Sequence, residues 1–254
     1  MWHSQAFQDR IVFNALLPGK KGGFFVDLAA NHPFLKSNSR ALERDHGWNG
    51  LCIDGNDDFL MQLVKKRRCA VIGAIVSSDD DGDVKYRHWH GANQNHEGGT
   101  TGTWQHALSG IVGFDNAANA SDGMAKQHGQ AGMKSGFVDK PGVSVRFESI
   151  LKVHRAPKVI DYLSLDVEGA EEAVLRDFPF SEYTFLTLTV ERPNQVVMDQ
   201  LQRNSYVYLG DVGGFGEKVF VHSSLPGGVE PAKTRFAEEL AKAANTGGGG
   251  KKHG

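Results

Sequence analysis

The amino-acid sequence is poor in the features that would assign it to a specialised class of protein. Its 254 residues include 8 prolines and 2 cysteines, which argues against a proline-rich disordered chain and against a small disulfide scaffold. The formal net charge of −2 indicates no basic surface for nucleic acid or for a membrane. No apolar run reaches membrane-spanning length, and the opening sequence MWHSQAFQDR lacks an apolar signal core. We therefore expect a soluble, cytoplasmic protein that binds neither nucleic acid nor membranes.

The two cysteines, Cys52 and Cys69, lie within apolar segments that have the pattern of neighbouring strands. They can form a disulfide or remain as two buried free thiols. We expect the free thiols, because unpaired cysteine is among the most buried residue types and cytoplasmic thiols stay reduced.

The composition, with 40% hydrophobic and 23% charged residues, is that of an ordinary globular domain. Short apolar runs alternate with amphipathic helical patterns, which predicts an α/β fold with a mostly parallel sheet and right-handed crossovers. The predicted parallel strands cover residues 23–28, 50–54, 69–77, 159–167 and 183–191. Two extended stretches, 205–211 and 217–223, flank the turn sequence VGGFG and predict an antiparallel hairpin.

These elements predict a single domain over residues 1–230. Residues 88–140 interrupt its pattern, because they are rich in histidine, glycine, asparagine and alanine. So long an irregular stretch inside a compact domain is typical of a binding insert or a substrate lid. Residues 231–254 are expected to begin as a helix and to end as a flexible tail, TGGGGKKHG.

The first predicted strand lacks the glycine fingerprint of dinucleotide-binding proteins. Residues 24–33 read FFVDLAANHP, with alanines in place of the glycines that let a pyrophosphate approach a helix N-terminus. Ligands of open parallel sheets bind at the carboxyl ends of the strands, and this sequence places acids there: Asp27, Asp54, Asp166, Glu168 and Glu191.

Two of these acids suggest the kind of ligand. Asp54 can accept from both hydroxyls of a ribose, although an aspartate in the turn sequence DGN is common without any ligand. Asp27 can hold its own loop or accept from an ammonium group. A ligand with a ribose and an ammonium group but no phosphate fits both acids, which favours S-adenosylmethionine over a dinucleotide.

Four segments together resemble the FkbM-type methyltransferases: SQAFQD, GGFFVDLAANHP with the following SNS, GWNGLCIDGN, and IDYLSLDVEGAEEAVL. The match covers most of residues 4–77 and 143–221, in the same order. The resemblance implies a Rossmann-like, class I methyltransferase sheet of seven mostly parallel strands with a C-terminal antiparallel hairpin. It also implies S-adenosylmethionine as the cofactor and methylation of a hydroxyl on a sugar or another small-molecule acceptor.

The same resemblance implies roles for individual residues. Asp166 and Glu168, after the fourth strand, are the candidate catalytic residues, as a general base or as groups that orient the acceptor. Ala29 replaces the usual glycine and Asp54 the usual glutamate. We expect both to be tolerated, Ala29 because an ordinary backbone conformation accepts its methyl group. The implied cofactor-binding residues are Gln5, Asp27, Ala29, Asn31, Ser37, Asn38, Asp54, Ala74 and Asp166.

Metal binding is a further hypothesis. Asp166, Glu168 and Glu191 can offer oxygen ligands to Mg²⁺, although pairing of Glu191 with Arg192 is the simpler expectation. A group of histidines can offer zinc ligands, but no cysteine joins them and their segment has the composition of a loop. One of them can instead serve as a general base. These histidines are His88, His90, His96 and His106.

Two other functions compete with methyl transfer. A Rossmann-like module that binds S-adenosylmethionine without catalysis would keep the fold, but its acids would be expected to disappear. A nicotinamide-dependent oxidoreductase is disfavoured by the missing glycine fingerprint.

Overall fold

The structure, a computed structural model, describes residues 2–89, 109–114, 137–214 and 216–247. In chain order the strands are β1 (Phe24–Leu28), β2 (Asn49–Asp54), β3 (Ala70–Gly73), β4 (Ile75–Ser77), β5 (Asp83–Trp89), β6 (Gly110–Ile111), β7 (Phe137–Arg146), β8 (Val159–Leu165), β9 (Thr184–Glu191), β10 (Tyr206–Val212) and β11 (Glu217–His222). The helices are α1 (Gln8–Ile11), which continues as a π-helical segment (Val12–Leu16), α2 (Arg40–His46), α3 (Asp57–Lys66), α4 (Phe147–Val153), α5 (Glu171–Leu175), α6 (Gln195–Arg203) and α7 (Val229–Gly247).

The main sheet has seven strands in the order β10-β11-β9-β8-β1-β2-β3. The five strands from β9 to β3 run parallel, whereas β11 is antiparallel to both β9 and β10. The predicted α/β class, the mostly parallel sheet and the C-terminal hairpin are confirmed, and the arrangement is consistent with a Rossmann-like fold. The strand order reverses between β1 and β8, and ligands of such sheets bind outside the carboxyl ends of the strands at that point.

Helices cover both faces of the main sheet. On one face Val26 of β1 packs in a core with Phe147 of α4 and Val174 of α5. On the other face Phe25 packs in a core with Leu42 of α2. Successive side chains of β1 therefore enter two different cores, which explains why a parallel strand reads as an unbroken apolar run.

The third predicted strand, residues 69–77, divides into two strands of different sheets. β3 stays in the main sheet, whereas β4 joins a second sheet of order β4-β7-β5-β6. The change occurs at Ala74, whose N–H donates to the carbonyl of Asp54.

The second sheet also corrects the prediction for residues 88–140. Both ends of that segment are strand rather than irregular chain, because β5 and β7 pair antiparallel from Asp83 opposite Val143 to Trp89 opposite Phe137. β6 adds a short third strand to this ladder. The expectation of a substrate lid rests on residues 90–108 and 115–136, which lie outside the described residues.

The two cysteines are joined in a Cys52–Cys69 disulfide, with their Cα atoms 6.0 Å apart. The expectation of free thiols is therefore wrong. Cys52 lies in β2 and Cys69 immediately precedes β3, and these neighbouring parallel strands bring the two residues within disulfide range. The argument from free thiols to a reducing compartment no longer applies. Among the described helices, none has the length and apolar character that crossing a membrane requires.

The C-terminal helix α7 starts at Val229, two residues before the predicted start, and Pro231 occupies its first turn, where a missing N–H is tolerated. Phe236 is buried in the core beside α1. The Arg235 Nε atom donates to the carbonyl of Ala15 at 2.7 Å. α7 thus packs on the N-terminal helix. The predicted flexible tail beyond residue 247 lies outside the described part of the chain.

Candidate functional site

A cleft that is partly open to solvent lies at the carboxyl ends of β1, β8 and β9. It is therefore at the reversal of strand order where a ligand is expected. Six of the predicted site residues line it: Gln5, Asp27, Ala29, Asn31, Asn38 and Asp166. A second, smaller pocket is lined by the predicted residues Asp54 and Ala74. Ala29 lines both, so the two pockets are neighbours separated by the loop after β1.

The loop after β1 has an unusual backbone. Ala29 has a φ of 65° and Asn31 a φ of 54°, which places both in the left-handed region. The backbone N–H groups of Ala29 and Ala30 both donate to the carbonyl of Ile53, and these bonds hold the loop against the end of β2. The expectation that Ala29 has an ordinary backbone conformation is therefore wrong. The position requires the conformation that glycine adopts without cost, and the alanine is strained.

Replacing Ala29 with glycine is expected to stabilise the protein by about 0.5–1 kcal/mol. A left-handed alanine costs about 1–2 kcal/mol, and the greater freedom of glycine in the unfolded chain offsets about 0.4–1 kcal/mol of the gain. The measurement is the free energy of unfolding by urea. Ala30→Gly is the matched control, since Ala30 is the adjacent alanine of the same loop but has no positive φ, and this change should destabilise the protein. A less stable Ala29→Gly protein would contradict the strain argument.

Asp54, at the end of β2, is buried and organises the loop around it. Its Oδ2 accepts from the backbone N–H of Asn31 at 2.7 Å and its Oδ1 from that of Asn56 at 2.8 Å. Burial raises the pKa of Asp54 to about 6, against the lowering effect of these two hydrogen bonds. Each oxygen of an ionised carboxylate can accept a further bond, so Asp54 can still hold a diol.

The pocket beside Asp54 is otherwise mostly apolar. Its walls include Ile53 from β2, Ile111 from β6 and the ring of Tyr86 from β5. Burial raises the pKa of Tyr86 well above its usual range, so the phenol is neutral. The second sheet thus supplies one wall of this pocket. Tyr86 and Ile111 are not predicted from the sequence, because nothing in it shows that β5 and β6 fold next to β2.

Asp27 belongs to a buried polar network behind the cleft. It accepts a short hydrogen bond from the Ser39 hydroxyl, and the Arg67 Nη2 atom donates to the same hydroxyl at 2.8 Å. Burial raises the pKa of Asp27, while the Arg67 charge opposes this shift. Ser37 joins this network by accepting from Arg67 Nη1 at 3.1 Å. The two roles expected for Asp27 are to hold its loop and to accept from an ammonium group of a ligand, and these contacts favour the first. Ser37 is likewise part of this network, as a hydrogen-bond acceptor for Arg67.

Asn38 faces the cleft with an unused acceptor. Its Nδ2 donates to the Ser164 hydroxyl at 2.9 Å, which fixes the orientation of the amide. Its Oδ1 is buried and has no hydrogen-bond partner among the described residues. A buried unsatisfied acceptor is costly, so a ligand that donates a hydrogen bond here would recover that cost.

The N-terminal segment reaches the cleft through its pairing with the loop before α2. Ser4 forms a parallel bridge with Lys36, which places Gln5 and Gln8 at the cleft. Asp9 fixes this segment by accepting from the backbone N–H of His3 at 2.7 Å and from the Ser4 hydroxyl at 2.5 Å.

Five carboxyl groups form what we call the acidic cluster, which lies between the end of β8 and the start of α5, at the end of β9 and at the start of β11. Three of them, Asp166, Glu168 and Glu191, each place one oxygen within 4.8 Å of the others. Glu217 stands opposite Glu191 in the β9–β11 ladder. The fifth, Glu171, accepts from the Gly169 N–H at 3.1 Å. Asp166, Glu191 and Glu217 line the cleft.

Arg192 is the counter-charge of this cluster. Its Nη2 atom donates to Glu191 Oε2 at 2.6 Å and to Glu168 Oε2 at 3.0 Å. The expected pairing of Glu191 with Arg192 is confirmed. Glu168 and Arg192 also have positive φ values of 54° and 44°, and such strained residues concentrate at functional sites.

Burial raises the pKa values of Asp166, Glu168, Glu171 and Glu217, and repulsion from neighbouring carboxylates adds to the effect. The pKa of Glu168 is raised to about 8, and those of Glu171 and Glu217 to about 7. The pKa of Asp166 is raised well above its usual range by burial and by the charges of Glu191 and Glu168. At neutral pH the cluster therefore holds protons that ordinary carboxyl groups would have lost.

The protein is expected to lose stability as the pH rises from 6.5 to 8.5. A carboxyl group whose pKa is raised in the folded state binds more protons in the folded protein than in the unfolded chain. The free energy of unfolding therefore decreases as the pH rises towards the pKa of the folded state. For Glu168, Glu171 and Glu217 the loss is about 2–4 kcal/mol over this window. Urea unfolding at several pH values measures it.

The pH range from 6.5 to 8.5 avoids titrations that would change the stability in the opposite direction. Three histidines have pKa values that burial lowers, so they add stability as the pH rises, but only below about 6.5. Glu217→Gln should make the decline above pH 6.5 shallower. A flat profile in the parent protein would contradict the raised pKa values. The three histidines are His3, His46 and His222.

The zinc hypothesis concerns residues that the structure describes only in part. His88 is buried in β5, with its ring 4.8 Å from that of Tyr86. His90, His96 and His106 lie outside the described residues. Zinc binding and a histidine base therefore stay predictions.

Glu217 is another site residue that the sequence alone does not predict. It begins a predicted hairpin strand, and its place beside Glu191 depends on β11 lying between β9 and β10.

The fold and the cleft define the class of protein. A doubly wound, mostly parallel sheet with an acid-lined cleft at the reversal of strand order is the architecture of an α/β domain, and in such domains ligands bind at that reversal. The chain matches the family described as Methyltransferase FkbM domain over residues 27–208, and it belongs to that family. The predicted family is thereby confirmed, and the protein is a methyltransferase by family. Comparison with curated proteins and with solved structures finds no match.

Proposed function

We propose that this protein is an S-adenosylmethionine-dependent methyltransferase that methylates a hydroxyl group of a sugar or another small metabolite. The observation that carries the proposal is the pair of adjoining pockets at the reversal of strand order. One holds the Asp54 carboxylate between apolar walls, and the other is lined by acids and by the unused acceptor of Asn38. Family membership supplies the transfer of a methyl group.

The residues present fit a ligand with a nucleoside at one end and an amino acid at the other. Asp54 would accept from the ribose hydroxyls, and the walls around Tyr86 would contact the adenine. Asn38 Oδ1 would accept from the ammonium group. Lys36, which lines the same cleft, would pair with the ligand carboxylate. The alanines of the β1 loop agree with this ligand, because no pyrophosphate has to approach the loop.

The chain's own contribution to the reaction is orientation and proton acceptance. S-adenosylmethionine supplies an electrophilic methyl group when bound. The acceptor hydroxyl must lie in line with that group and must lose its proton. Asp166 lines the cleft next to Glu168, so we assign proton acceptance to the Asp166 carboxylate in its ionised form, which becomes more populated as the pH rises because the pKa of Asp166 is raised. Glu168 has a pKa of about 8 and can accept the proton from Asp166 only when it is itself ionised.

Calorimetric titration with S-adenosylhomocysteine, the demethylated product, tests the proposal. We expect saturable binding of one ligand per chain. No binding up to about 1 mM, a weak affinity of about −4 kcal/mol, would overturn the cofactor assignment. Binding without transfer of labelled methyl to a pool of sugars and hydroxylated metabolites would instead support the non-catalytic module. A cytoplasmic location and the absence of nucleic-acid or membrane partners stay predictions from composition.

A further inference from the structure

When ionised, the acidic cluster carries more negative charge than its surroundings offset. Its five carboxyl groups lie between the end of β8 and the start of α5, at the end of β9 and at the start of β11, and among the described residues Arg192 supplies its only salt bridges. The Arg192 side chain is 39% exposed, and a guanidinium in contact with solvent contributes little to holding buried carboxylates. Both of its bonds go to the Oε2 atoms of Glu168 and Glu191.

Two carboxylate oxygens in this region have no partner in the described part of the chain. One is Asp166 Oδ1, within the trio of Asp166, Glu168 and Glu191. The other is Glu217 Oε1, from a different strand, and Glu217 is only 4% exposed. Glu217 lies opposite Glu191 in the ladder and lines the same cleft. Two buried oxygens that accept nothing are costly, and a bound cation would satisfy them.

The chemistry of the trio selects the kind of cation. Its members offer only carboxylate oxygens, which are the ligands of hard divalent ions such as Mg²⁺, Mn²⁺ and Ca²⁺. Their oxygens lie within 4.8 Å of one another, close enough for a single ion to contact all three. Three protein ligands leave further coordination positions for water or for an acceptor oxygen, as Mg²⁺ sites usually do.

We propose that Asp166, Glu168 and Glu191 bind one divalent cation of the Mg²⁺ type at the acceptor side of the cleft. Glu217 supports the site as a fourth, neighbouring carboxylate. Binding of the ion would release the protons that these carboxyl groups hold, and the ion would offset the negative charge that Arg192 leaves unbalanced. Its further role, which rests on the proposed function, is to hold the acceptor hydroxyl and to lower the pKa of that hydroxyl.

The test uses Mn²⁺ as the probe, since free Mn²⁺ gives an electron paramagnetic resonance signal that binding removes. Titration of the full chain, without cofactor or acceptor, should show one bound Mn²⁺ that Mg²⁺ displaces. Asp166→Asn and Glu191→Gln should each weaken binding by at least about tenfold, as loss of a direct ligand costs no less than loss of an outer partner. Glu172→Gln is the matched control, because Glu172 lies on the same helix as Glu171 but pairs with Arg176 and Asn194.

The outcomes separate the cation site from the proposed function. No bound Mn²⁺ up to about 1 mM, the weak end of protein sites for such ions, would overturn the site. The site would also be ruled out if the Asp166→Asn and Glu191→Gln variants bound Mn²⁺ as tightly as the parent protein while circular dichroism showed both variants to be folded. Mn²⁺ binding without S-adenosylhomocysteine binding would keep the cation site and remove the cofactor assignment. Binding of S-adenosylhomocysteine without binding of Mn²⁺ would support the cofactor assignment and overturn the cation site.

Discussion

Replacing Arg67 with methionine is expected to lower the free energy of unfolding by about 3–5 kcal/mol, the usual cost of removing one partner of a buried ion pair. The side chain of Arg67 is fully buried, and its Nε atom donates to Glu43 Oε2 at 2.8 Å. Without Arg67, Glu43 keeps the backbone N–H groups of Arg68 and Cys69 as donors but loses its charged partner. Urea unfolding measures the loss.

The effect should also reach the cleft. Arg67 donates to the hydroxyls of Ser37 and Ser39, and Ser39 in turn donates to Asp27. Removing the guanidinium therefore removes the positive charge that opposes the raised pKa of Asp27. We expect the loop after β1 to become less ordered, which faster amide exchange at Ala29 and Ala30 would report.

Arg68 provides the control for this variant. It is the adjacent arginine in the chain but it is exposed, so Arg68→Met should change stability by no more than about 0.5 kcal/mol. Pairing Arg67→Met with Glu43→Gln should restore part of the stability, because the second change removes the unpaired buried charge. Equal, small effects of Arg67→Met and Arg68→Met would show that the ion pair contributes nothing.

Much of the fold is predictable from the sequence, because the parallel strands are buried on both faces. Phe25 and Val26 enter opposite cores, so the strand appears as a mostly apolar run, which is preceded by two glycines. The division of residues 69–77 between two sheets is not predictable in this way. The chain leaves the main sheet at the single residue Ala74, and the apolar run continues through it.

The site is only partly predictable, for a physical reason. Residues at the ends of β1, β2 and β8 can be read in order, because a parallel sheet brings all such ends to one edge. Contacts between residues that lie far apart in the sequence cannot be predicted in this way. Cys69 joins Cys52 across two strands, and Arg67 meets Glu43 across 24 positions of the chain. In the same way Glu217 joins Glu191 only because β11 inserts between β9 and β10.

Asp27 and Asp54 differ in the groups within the protein that already donate hydrogen bonds to them. Asp27 and Asp54 are both buried at strand ends, yet Asp27 is bound to the Ser39 side chain and Asp54 to backbone N–H groups. Backbone donors fix the position of a carboxylate without covering all of its lone pairs, which suits a group that must also accept from a ligand. This difference singles out Asp54 as the residue whose loss should most affect the proposed cofactor.

Replacing Asp54 with alanine is expected to weaken S-adenosylhomocysteine binding by a factor of about 10² to 10⁴. Hydrogen bonds to a charged group contribute about 1.5–3 kcal/mol each, and a carboxylate can accept from both ribose hydroxyls. Calorimetry at pH 8 measures the change, since the pKa of Asp54 is about 6 and its carboxylate is then ionised. Asp57→Ala is the matched control, because Asp57 is an exposed acid three residues away.

The variant also loses an acceptor for two backbone N–H groups, so binding and folding must be separated. Asp54→Asn keeps one acceptor oxygen for the Asn31 or Asn56 N–H and should fold more stably than the alanine variant. A ligand-side change completes the comparison. The 2′-deoxy analogue of S-adenosylhomocysteine should bind the parent protein more weakly than S-adenosylhomocysteine does, but should lose little further affinity when Asp54 is replaced. Such non-additivity is the signature of a direct contact. Additive losses would mean that Asp54 only supports the β1 loop and that another group holds the ribose.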